Sequence, residues 1–252
     1  QKKETAVVYS QEELAPGIFS MWIITEMAAS AKPGQFIAVY SRDGSRILPR
    51  PISICEADPE EGRLRIVYRI AGAGTQEFSG YVSGDPIDIM GPLGNGFPRE
   101  GENVFLIGGG IGIPPMLELA KQLNCEKQII LGYRDENLFL RDEFEAYGEV
   151  FVATEDGSVG SHGNVLDAIR ENGLSADVMY ACGPTPMLRA LKEYAAKEGI
   201  PCYISLEEKL ACGIGACLAC VCKTRDVDSH SNVHNRRICK DGPVFPAQEV
   251  DL

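Results

Sequence analysis

Four cysteines close to the C-terminus have the residue type and the spacing most suggestive of chemistry. Cys212, Cys217 and Cys220 follow the pattern C-x4-C-x2-C, and Cys239 lies further along the chain. This spacing is typical of a plant-type 2Fe-2S cluster, whose irons are held by thiolates. The loop between the first two cysteines contains two glycines and an alanine, which leave room for an inorganic core and allow backbone N–H groups to face its sulfurs. We therefore predict a one-electron carrier with these four cysteines as ligands.

Three other uses of these cysteines stay open on the sequence alone: a zinc site, a disulfide framework and ordinary buried thiols. Structural zinc sites commonly combine two C-x2-C pairs, and the segment lacks that arrangement. The nine cysteines are an odd number in a chain long enough to fold without disulfide bonds. Cys222, two residues after Cys220, could compete as a ligand, and we predict that it is a packed thiol instead.

The composition argues against several classes of partner. The chain has 252 residues, 44% of them hydrophobic, which is enough for one large domain or for two ordinary domains with a small appendage. Its net charge of -12 and its lack of a basic run argue against binding to nucleic acid. No stretch approaches the roughly 18 apolar residues of a membrane-spanning helix, and residues 1–25 lack the pattern of a signal peptide. Together with the many cysteines, this leads us to expect a protein of the reducing cytoplasm.

Residues 1–99 consist of short β-rich runs separated by turn signals such as Lys32-Pro33-Gly34. This regular alternation of short strands and turns is typical of an antiparallel β-barrel rather than of alternating strands and helices. We therefore predict a barrel domain over residues 1–99. The predicted strands cover residues 5–9, 18–24, 35–40, 63–70 and 86–90.

The pattern changes after Pro98. Residues 103–107 form a continuous apolar run, a glycine-rich turn follows, and residues 114–123 are typical of a helix with proline in its first turn. The alternation predicts an α/β domain over residues 100–205, with a parallel sheet covered by helices. Residues 206–252 are loop-rich and contain the four cysteines, so we expect a third, small module there. The other α/β elements cover residues 128–132, 138–147, 150–154, 165–172, 178–181 and 186–197.

Two glycine turns lie where an α/β sheet binds ligands. The first, at residues 108–112, joins a strand to a helix whose free N–H groups and dipole favour phosphate, and its glycines let a pyrophosphate approach the backbone. The fingerprint G-x-G-x-x-G is incomplete because Pro115 stands at the third glycine position, so a purely structural tight turn remains an alternative. The second turn contains Cys182 and Gly183 at the carboxyl end of a later strand. For Cys182, a packed thiol at the strand end is the alternative.

Two segments of the barrel half together predict a flavin site. The first is Arg50-Pro51-Ile52-Ser53, in which arginine presents a planar fork suited to a diphosphate and the serine hydroxyl can reach a polar ring nitrogen. Alone, this tetrapeptide is more typical of a strand with a solvated arginine. The second is Val67-Tyr68-Arg69, followed by Gly74-Thr75, in which an aromatic strand leads to a glycine turn that could complete the site.

The order of these motifs resembles the ferredoxin-NADP reductase superfamily, in which a flavin-binding β-barrel precedes a pyridine-nucleotide domain. The C-terminal part is more specific, because A-C-G-I-G-A-C-L-A-C-V-C and the later I-C-K-D-G-P-V-F are similar to electron-transfer subunits of the NAD-dependent dihydroorotate dehydrogenase B family. The resemblance covers nearly the whole chain. The long polar stretch between Cys220 and Cys239 departs from the pattern and leaves the local contact surface open.

This resemblance implies three cofactors: FAD, a 2Fe-2S cluster and NAD. The cluster is expected on the four cysteines already named, and NAD is expected near Gly109, Gly110 and Gly112. The residues that the resemblance assigns to noncovalently bound FAD are Arg50, Pro51, Ile52, Ser53, Val67, Tyr68, Arg69, Gly74 and Thr75.

The resemblance also implies a reaction and a partner. In the family's reaction, a separate catalytic subunit oxidises dihydroorotate on an FMN, and electrons pass singly through the cluster to FAD, which delivers a hydride to NAD. We therefore expect an FMN-containing partner, a heterotetramer of two plus two subunits and a role in pyrimidine biosynthesis. The cluster must lie near the partner, with Leu218 as a candidate apolar contact. Positioning of cofactors suffices for this chemistry, so no side chain is assigned as acid, base or nucleophile.

Two details of specificity concern the histidines and the nucleotide. A Rieske centre would use two histidines, but four suitable cysteines are present, so we predict His162, His230 and His234 to be exposed loop residues. A 2′-phosphate normally requires a basic residue after the second strand. Arg134 stands there, but the acids at 135 and 136 follow it, which favours NAD over NADP.

Two other functions stay open. The same modules could form a diaphorase-like NAD(P)H subunit linked to a hydrogenase or a ferredoxin, although the sequence I-C-K-D-G-P-V-F at residues 238–245 argues against it. A protein of a different class, a non-catalytic flavoprotein that senses redox state, would bind the cofactors without steady NADH oxidation. The complete set of cofactor motifs argues against that class.

Overall fold

The structure is a computed structural model that describes residues 2–228 and 232–252. The N-terminal part is a closed, six-stranded antiparallel barrel within these residues, as predicted, with the strand order β1-β2-β5-β4-β3-β6. Alternating buried and exposed positions along β6 show why these segments form strands with one face toward a core. The strands are β1 (Lys2–Ala15), β2 (Ile18–Ile24), β3 (Phe36–Val39), β4 (Arg50–Asp58), β5 (Arg63–Arg69) and β6 (Pro86–Leu93), with α1 (Ala73–Phe78) and a 3-10 helix (Glu26–Ser30) between them.

The second part is the predicted α/β arrangement. The described residues form a seven-stranded sheet with the order β10-β9-β8-β7-β11-β12-β15, in which β15 is Val244–Pro246, and helices cover it. The strands β7 to β12 are parallel, so their carboxyl ends meet at one edge. The elements are β7 (Asn103–Gly109), a 3-10 turn (Gly110–Gly112), α2 (Pro114–Gln122), β8 (Glu126–Tyr133), α3 (Arg141–Phe144), β9 (Glu149–Thr154), β10 (Ser161–His162), α4 (Val165–Glu171), β11 (Val178–Cys182), α5 (Thr185–Glu198) and β12 (Cys202–Ser205).

The C-terminal part contains the cysteine loop, a short hairpin and one strand that leaves the module. The hairpin pairs β13 (Val221–Lys223) with β14 (Asn235–Arg237). The strand β15 (Val244–Pro246) joins the α/β sheet antiparallel to β12. The sheet is therefore parallel except at this edge, which the sequence pattern did not reveal. The buried side chains of Val244 and Phe245 explain why β15 docks there.

Buried polar contacts fix the barrel against the α/β part. Glu118, on α2, is 2% exposed, and its carboxylate accepts the backbone N–H of Ala57 on β4 at 2.9 Å. Burial raises the pKa of Glu118. Arg65, on β5, donates to both carboxylate oxygens of Glu143 on α3. Since α2 follows the glycine turn and β4 begins at Arg50, these contacts hold the two predicted cofactor regions in a fixed relation.

Two of the three histidines, His162 and His234, lie within the described residues. His162 is exposed, as predicted, but it ends the short strand β10 rather than lying in a loop. His234 is exposed, and its ring Nδ1 lies 2.8 Å from the carbonyl oxygen of Arg225. His230 lies outside the described residues. Among the helices that the structure describes, none is long and apolar enough to cross a membrane.

Candidate functional site

A cavity of about 500 Å³ lies between the barrel, the end of β12 and the cysteine module. The β4 and β5 strands bring the two predicted flavin segments together on its wall. Eight of the nine residues predicted to bind FAD line this cavity: Arg50, Pro51, Ile52, Ser53, Val67, Tyr68, Arg69 and Thr75.

The ninth, Gly74, supports the cavity by leaving space for Arg50. A Cβ atom at this glycine would lie 2.7 Å from Nε and 2.9 Å from Cζ of Arg50, so the guanidinium lies directly against the glycine backbone. The hydroxyl of Thr75 accepts the N–H groups of Ala71 and Gly72 at 2.9 and 3.2 Å and closes the turn. Among the described residues, the only hydrogen-bond partner of the Arg50 side chain is the carbonyl of Leu48. Most of its fork is therefore free for an anionic ligand, which fits the diphosphate of FAD.

The aromatic wall of this cavity is held by the barrel. The hydroxyl of Tyr68 donates to the side-chain oxygen of Gln11 at 2.6 Å, and its ring stacks on Phe19 with centroids 6.0 Å apart. Burial raises the pKa of Tyr68 well above its usual range, so the side chain stays neutral. A fixed, neutral aromatic surface beside a cationic guanidinium fits a ligand in which a short chain joins a flat ring to a diphosphate.

A second cavity, of about 670 Å³, lies at the carboxyl ends of the parallel strands. Two of the predicted glycines, Gly109 and Gly110, line it. Gly110 has a φ of +52°, and a Cβ atom there would meet nothing within 4 Å, so its backbone is open to a ligand. This is the place and the kind of backbone that α/β sheets use for nucleotide phosphates.

The other three predicted nucleotide residues lie behind this cavity rather than on its wall. A Cβ atom at Gly112 would lie 2.4 Å from the carbonyl oxygen of Cys182, and one at Gly183 would lie 2.4 Å from Cε of Met187. Cys182 is 1% exposed, and burial raises the pKa of its thiol well above the usual range. These residues support the turn and the Met187 side chain, which does line the cavity. Their direct contact with a cofactor stays a prediction.

Two acidic side chains also line the second cavity. Asp135, after β8, and Glu155, after β9, both lie on the wall together with Arg134. The Asp135 carboxylate accepts the backbone N–H and the side-chain amide of Asn137 at 3.0 and 2.7 Å, so its position is fixed. Glu136, which the sequence suggested as a second acid, is not on the wall, and Glu155 from the neighbouring strand takes that place.

The cysteine loop holds its four predicted ligands in two pairs. The N–H groups of Ala216 and Cys217 donate to Sγ of Cys212 at 3.3 and 3.4 Å, and the N–H of Cys239 donates to Sγ of Cys220 at 3.4 Å. Gly213 and Gly215 have φ values of +71° and +81°, which let the N–H groups of the Cys212–Cys217 loop turn inward.

The thiols within the pairs differ in acidity. Burial alone would raise the pKa of Cys212, but the N–H groups of Ile214 and Cys217 donate to its sulfur and lower its pKa to about 6. Burial and the contact with Cys220 raise the pKa of Cys239 to about 12. In the described residues, no three side chains of His, Cys, Asp or Glu converge on one metal ion. Two pairs are instead what a 2Fe-2S cluster requires, since each iron takes two thiolates.

Cys222 stands apart from these pairs. It is half-buried, and its thiol donates to the carbonyl oxygen of Arg236 at 3.6 Å. Burial raises its pKa to about 11. This arrangement favours the packed thiol over a competing ligand.

The three sites are arranged in series. The two cavities share Arg69 and Ile111, and the first cavity is also lined by Cys220 and Ile238 from the cysteine module. The sequence placed Arg69 in the flavin site alone and did not single out Ile111, although the latter lies inside the glycine run. Glu207 also lines the first cavity.

Comparisons with known proteins agree with this arrangement. The family model for the iron-sulfur cluster binding domain of dihydroorotate dehydrogenase B matches residues 207–251, and the oxidoreductase NAD-binding domain matches residues 106–193. The chain is 42% identical, over 99% of both chains, to the dihydroorotate dehydrogenase B (NAD(+)) electron transfer subunit of Geobacillus thermodenitrificans. It is 44% identical, over 98% of both chains, to the subunit of that name from Caldanaerobacter subterraneus.

Solved structures show the same fold. A chain from the structure of an NADH-dependent reduced ferredoxin-NADP oxidoreductase superposes with a TM-score of 0.88 at 32% identity, over 98% of this chain and 90% of that one. A ferredoxin NADP+ reductase from Neisseria gonorrhoeae with bound FAD and NADP gives a TM-score of 0.67 at 16% identity, over 79% and 92%. With its cofactor sites, its fold and its full-length similarity, the chain belongs to the family of electron-transfer subunits of NAD-dependent dihydroorotate dehydrogenase B.

Proposed function

We propose that this chain passes electrons from the FMN of a dihydroorotate-oxidising catalytic subunit through a 2Fe-2S cluster and FAD to NAD, in pyrimidine biosynthesis. The observation that carries the proposal is the series of sites. The nucleotide cavity and the flavin cavity share Arg69 and Ile111, and the flavin cavity reaches the cluster ligand Cys220. Bound FAD supplies the conversion between single electrons and the two-electron hydride that nicotinamide accepts.

The residues of the chain bind and orient the groups. Arg50 would face the diphosphate of FAD, Ser53 would contact the edge of the flavin ring, and Tyr68 would pack beside the ring or its ribityl chain. Support comes from the free fork of Arg50 over Gly74 and from the position of all three side chains on one cavity wall. This positioning accounts for the reaction without a side-chain acid, base or nucleophile.

We propose that NAD binds with its pyrophosphate at Gly109 and Gly110 and its adenosine ribose toward Asp135 and Glu155. The open backbone of Gly110 supports the first placement, and the position of both acids on the cavity wall supports the second. A 2′-phosphate would face two carboxylates against one guanidinium, that of Arg134, so the cavity favours NAD over NADP.

The catalytic partner docks, in this proposal, over the exposed side of the cluster. Cys217 is exposed, and the apolar side chains Ile214 and Leu218 beside it are 50% and 46% exposed. Solvent-facing apolar side chains next to a redox centre suit a protein interface. We further propose an FMN in the partner and an assembly of two plus two subunits, both of which rest on the family resemblance.

We also propose the three modules as residues 1–99, 100–205 and 206–252, working in the cytoplasm. The change from barrel to α/β sheet after β6 supports the boundary between residues 99 and 100. The third module shares its last strand with the α/β sheet, so it is docked on that sheet rather than separate from it. The five cysteines that are not proposed as cluster ligands form no disulfide bond, which supports a reducing compartment.

One structural neighbour favours a second candidate function. The full-length likeness to a chain of a ferredoxin-NADP oxidoreductase complex suggests a subunit that exchanges electrons with ferredoxin. Reconstitution separates the two candidates. The chain, loaded with FAD and cluster, is mixed either with an FMN-containing dihydroorotate-oxidising subunit or with reduced ferredoxin, and NAD reduction is followed at 340 nm. Dihydroorotate-dependent reduction supports the proposal, and reduction with ferredoxin alone contradicts it.

A further inference from the structure

Arg237 is a buried cation beside the predicted cluster that no cofactor role described above uses. It ends β14, two residues before Cys239, and it is 7% exposed. A guanidinium is costly to bury unless its donors are satisfied. The hydrogen-bond partners of the Arg237 guanidinium therefore indicate which segments it holds together.

The guanidinium joins the two parts of the chain that supply the cluster ligands. On one side, Nε and Nη2 of Arg237 donate to the two carboxylate oxygens of Asp241 at 2.9 and 3.1 Å. On the other side, Nη1 donates to the carbonyl oxygen of Gly215 at 3.4 Å. Gly215 lies in the loop between Cys212 and Cys217, so one side chain links that loop to the turn that contains Cys239.

Backbone contacts complete the link. The N–H of Arg237 donates to the Asp241 carboxylate at 2.9 Å, and the N–H of Ile238 donates to the carbonyl of Cys220 at 2.8 Å. Cys239 is thereby held beside Cys220. The geometry depends on a planar fork, which lysine cannot reproduce.

The same residues set the charge near the predicted cluster. The Asp241 carboxylate lies against the Arg237 guanidinium, and Asp228 and Cys239 are close enough to interact with it electrostatically. In a buried site such fixed charges act on the reduction of a metal centre, because reduction adds a negative charge that a nearby cation stabilises and a nearby anion opposes.

We propose that Arg237 is a positioning residue that holds the Gly215 loop against the Cys239 turn and, balanced by Asp241, sets the reduction potential of the 2Fe-2S cluster. This inference rests on the proposed function in that it requires the cluster to form on these four cysteines.

The test is a redox titration of the cluster in the FAD-loaded chain, followed by low-temperature electron spin resonance. Arg237→Met leaves the carboxylates unbalanced and lowers the midpoint potential, whereas Asp241→Asn leaves the cation unbalanced and raises it. At a fixed solution potential, each substitution changes the ratio of reduced to oxidised cluster about tenfold. For a one-electron couple this corresponds to a shift of the midpoint potential of about 59 mV. Lys223→Met removes an exposed cation of the same module and leaves the potential unchanged.

Arg237→Lys separates positioning from charge. It keeps the cation but loses the fork, so the potential stays near that of the unmodified chain while the resonance lines broaden and the cluster is lost faster to a chelator. If Arg237 had only a structural role, the midpoint potentials of Arg237→Met and Asp241→Asn would both move in the same direction from that of the unmodified chain, or neither would move. Either result overturns the inference. If Arg237→Met retains no cluster, an Asp241→Asn potential that is not raised overturns it equally. The absence of a cluster signal in the unmodified chain would instead overturn the proposed function.

Discussion

Glu77 is predicted to fix the segment that leads into the flavin site. Its carboxylate accepts the N–H of Arg42 at 2.7 Å, the hydroxyl of Tyr81 at 2.7 Å and a guanidinium N–H of Arg46 at 2.8 Å. The hydroxyl of Ser41 donates to it as well. Residues 40–49 connect β3 to β4, whose first residue is Arg50, so a single carboxylate on α1 holds the loop before the diphosphate site.

The magnitude follows from the acidity of this group. Burial alone would raise the pKa of Glu77, but the hydrogen bonds from Ser41, Tyr81 and Arg42 and the charge of Arg46 lower it from 4.5 to about 2. At about 1.4 kcal/mol per pKa unit, this corresponds to roughly 3 kcal/mol of stability. Because the side chain is 18% exposed, we expect Glu77→Gln to lower the free energy of unfolding at pH 7 by about 2 to 3 kcal/mol.

The pH dependence distinguishes this charge effect from a loss of packing. The folded pKa lies below the unfolded one, so the contribution is complete above about pH 4.5 and is lost as the pH falls toward 2. About half of it remains near pH 3. Urea denaturation at a series of pH values gives the difference between Glu77→Gln and the unmodified chain, and flavin fluorescence reports retention of FAD, which we expect to weaken.

The control is Glu60→Gln. Glu60 is exposed and forms no hydrogen bond within the described part of the chain, so its substitution leaves stability and FAD retention unchanged. A Glu77→Gln protein as stable as the unmodified chain at pH 7, or one whose deficit does not shrink toward pH 3, refutes the reasoning.

Three further changes test other parts of the account. Gly74→Ala places a methyl group 2.7 Å from Nε of Arg50, so we expect FAD binding, measured by flavin fluorescence, to weaken about tenfold or more. The control Gly44→Ala adds a methyl group that meets nothing within 4 Å and leaves FAD binding unchanged. Equal FAD affinities of the two variants would contradict the role of Gly74 in making room for Arg50. Glu155→Gln removes a negative charge from the wall of the nucleotide cavity, so we expect the affinity for NADP relative to NAD, measured by calorimetry, to rise about tenfold. Glu136→Gln is the control, because Glu136 does not line that wall. An unchanged ratio of the two affinities in Glu155→Gln counts against the proposed orientation of NAD. Arg65→Met leaves Glu56 and Glu143 without their cation and destabilises the chain by about 3 kcal/mol, measured by urea denaturation, and an unchanged midpoint would show that the ion pair does not fix the barrel to the α/β part.

The features that could be predicted from the sequence are motifs in which the bound group requires particular residues at fixed distances along a short stretch of chain. The cysteine spacing follows from the size of an inorganic core, so it is visible in the region of Cys212 to Cys220 before any fold is known. The glycine turn after β7 and the pair of barrel segments are local in the same sense. Each motif could therefore be assigned from a few neighbouring residues.

The features that the sequence did not predict depend on contacts between distant segments. The strand β15 joins the α/β sheet because a long-range apolar surface accepts it, and nothing in its three residues indicates an edge strand. Glu155 replaces Glu136 on the cavity wall because the ends of β8 and β9 meet. The shared position of Ile111 arises only when the barrel and the α/β part pack together.

The central claim is an internal route from NAD through FAD to the cluster. Its most direct test is an anaerobic titration of the purified, cofactor-loaded chain with NADH, followed by visible absorbance and low-temperature electron spin resonance. The account predicts that the flavin absorbance bleaches and that a rhombic 2Fe-2S signal appears as NADH is added. A chain that binds flavin and shows no such signal after iron-sulfur reconstitution would contradict the assignment of Cys212, Cys217, Cys220 and Cys239, and with it the proposed function.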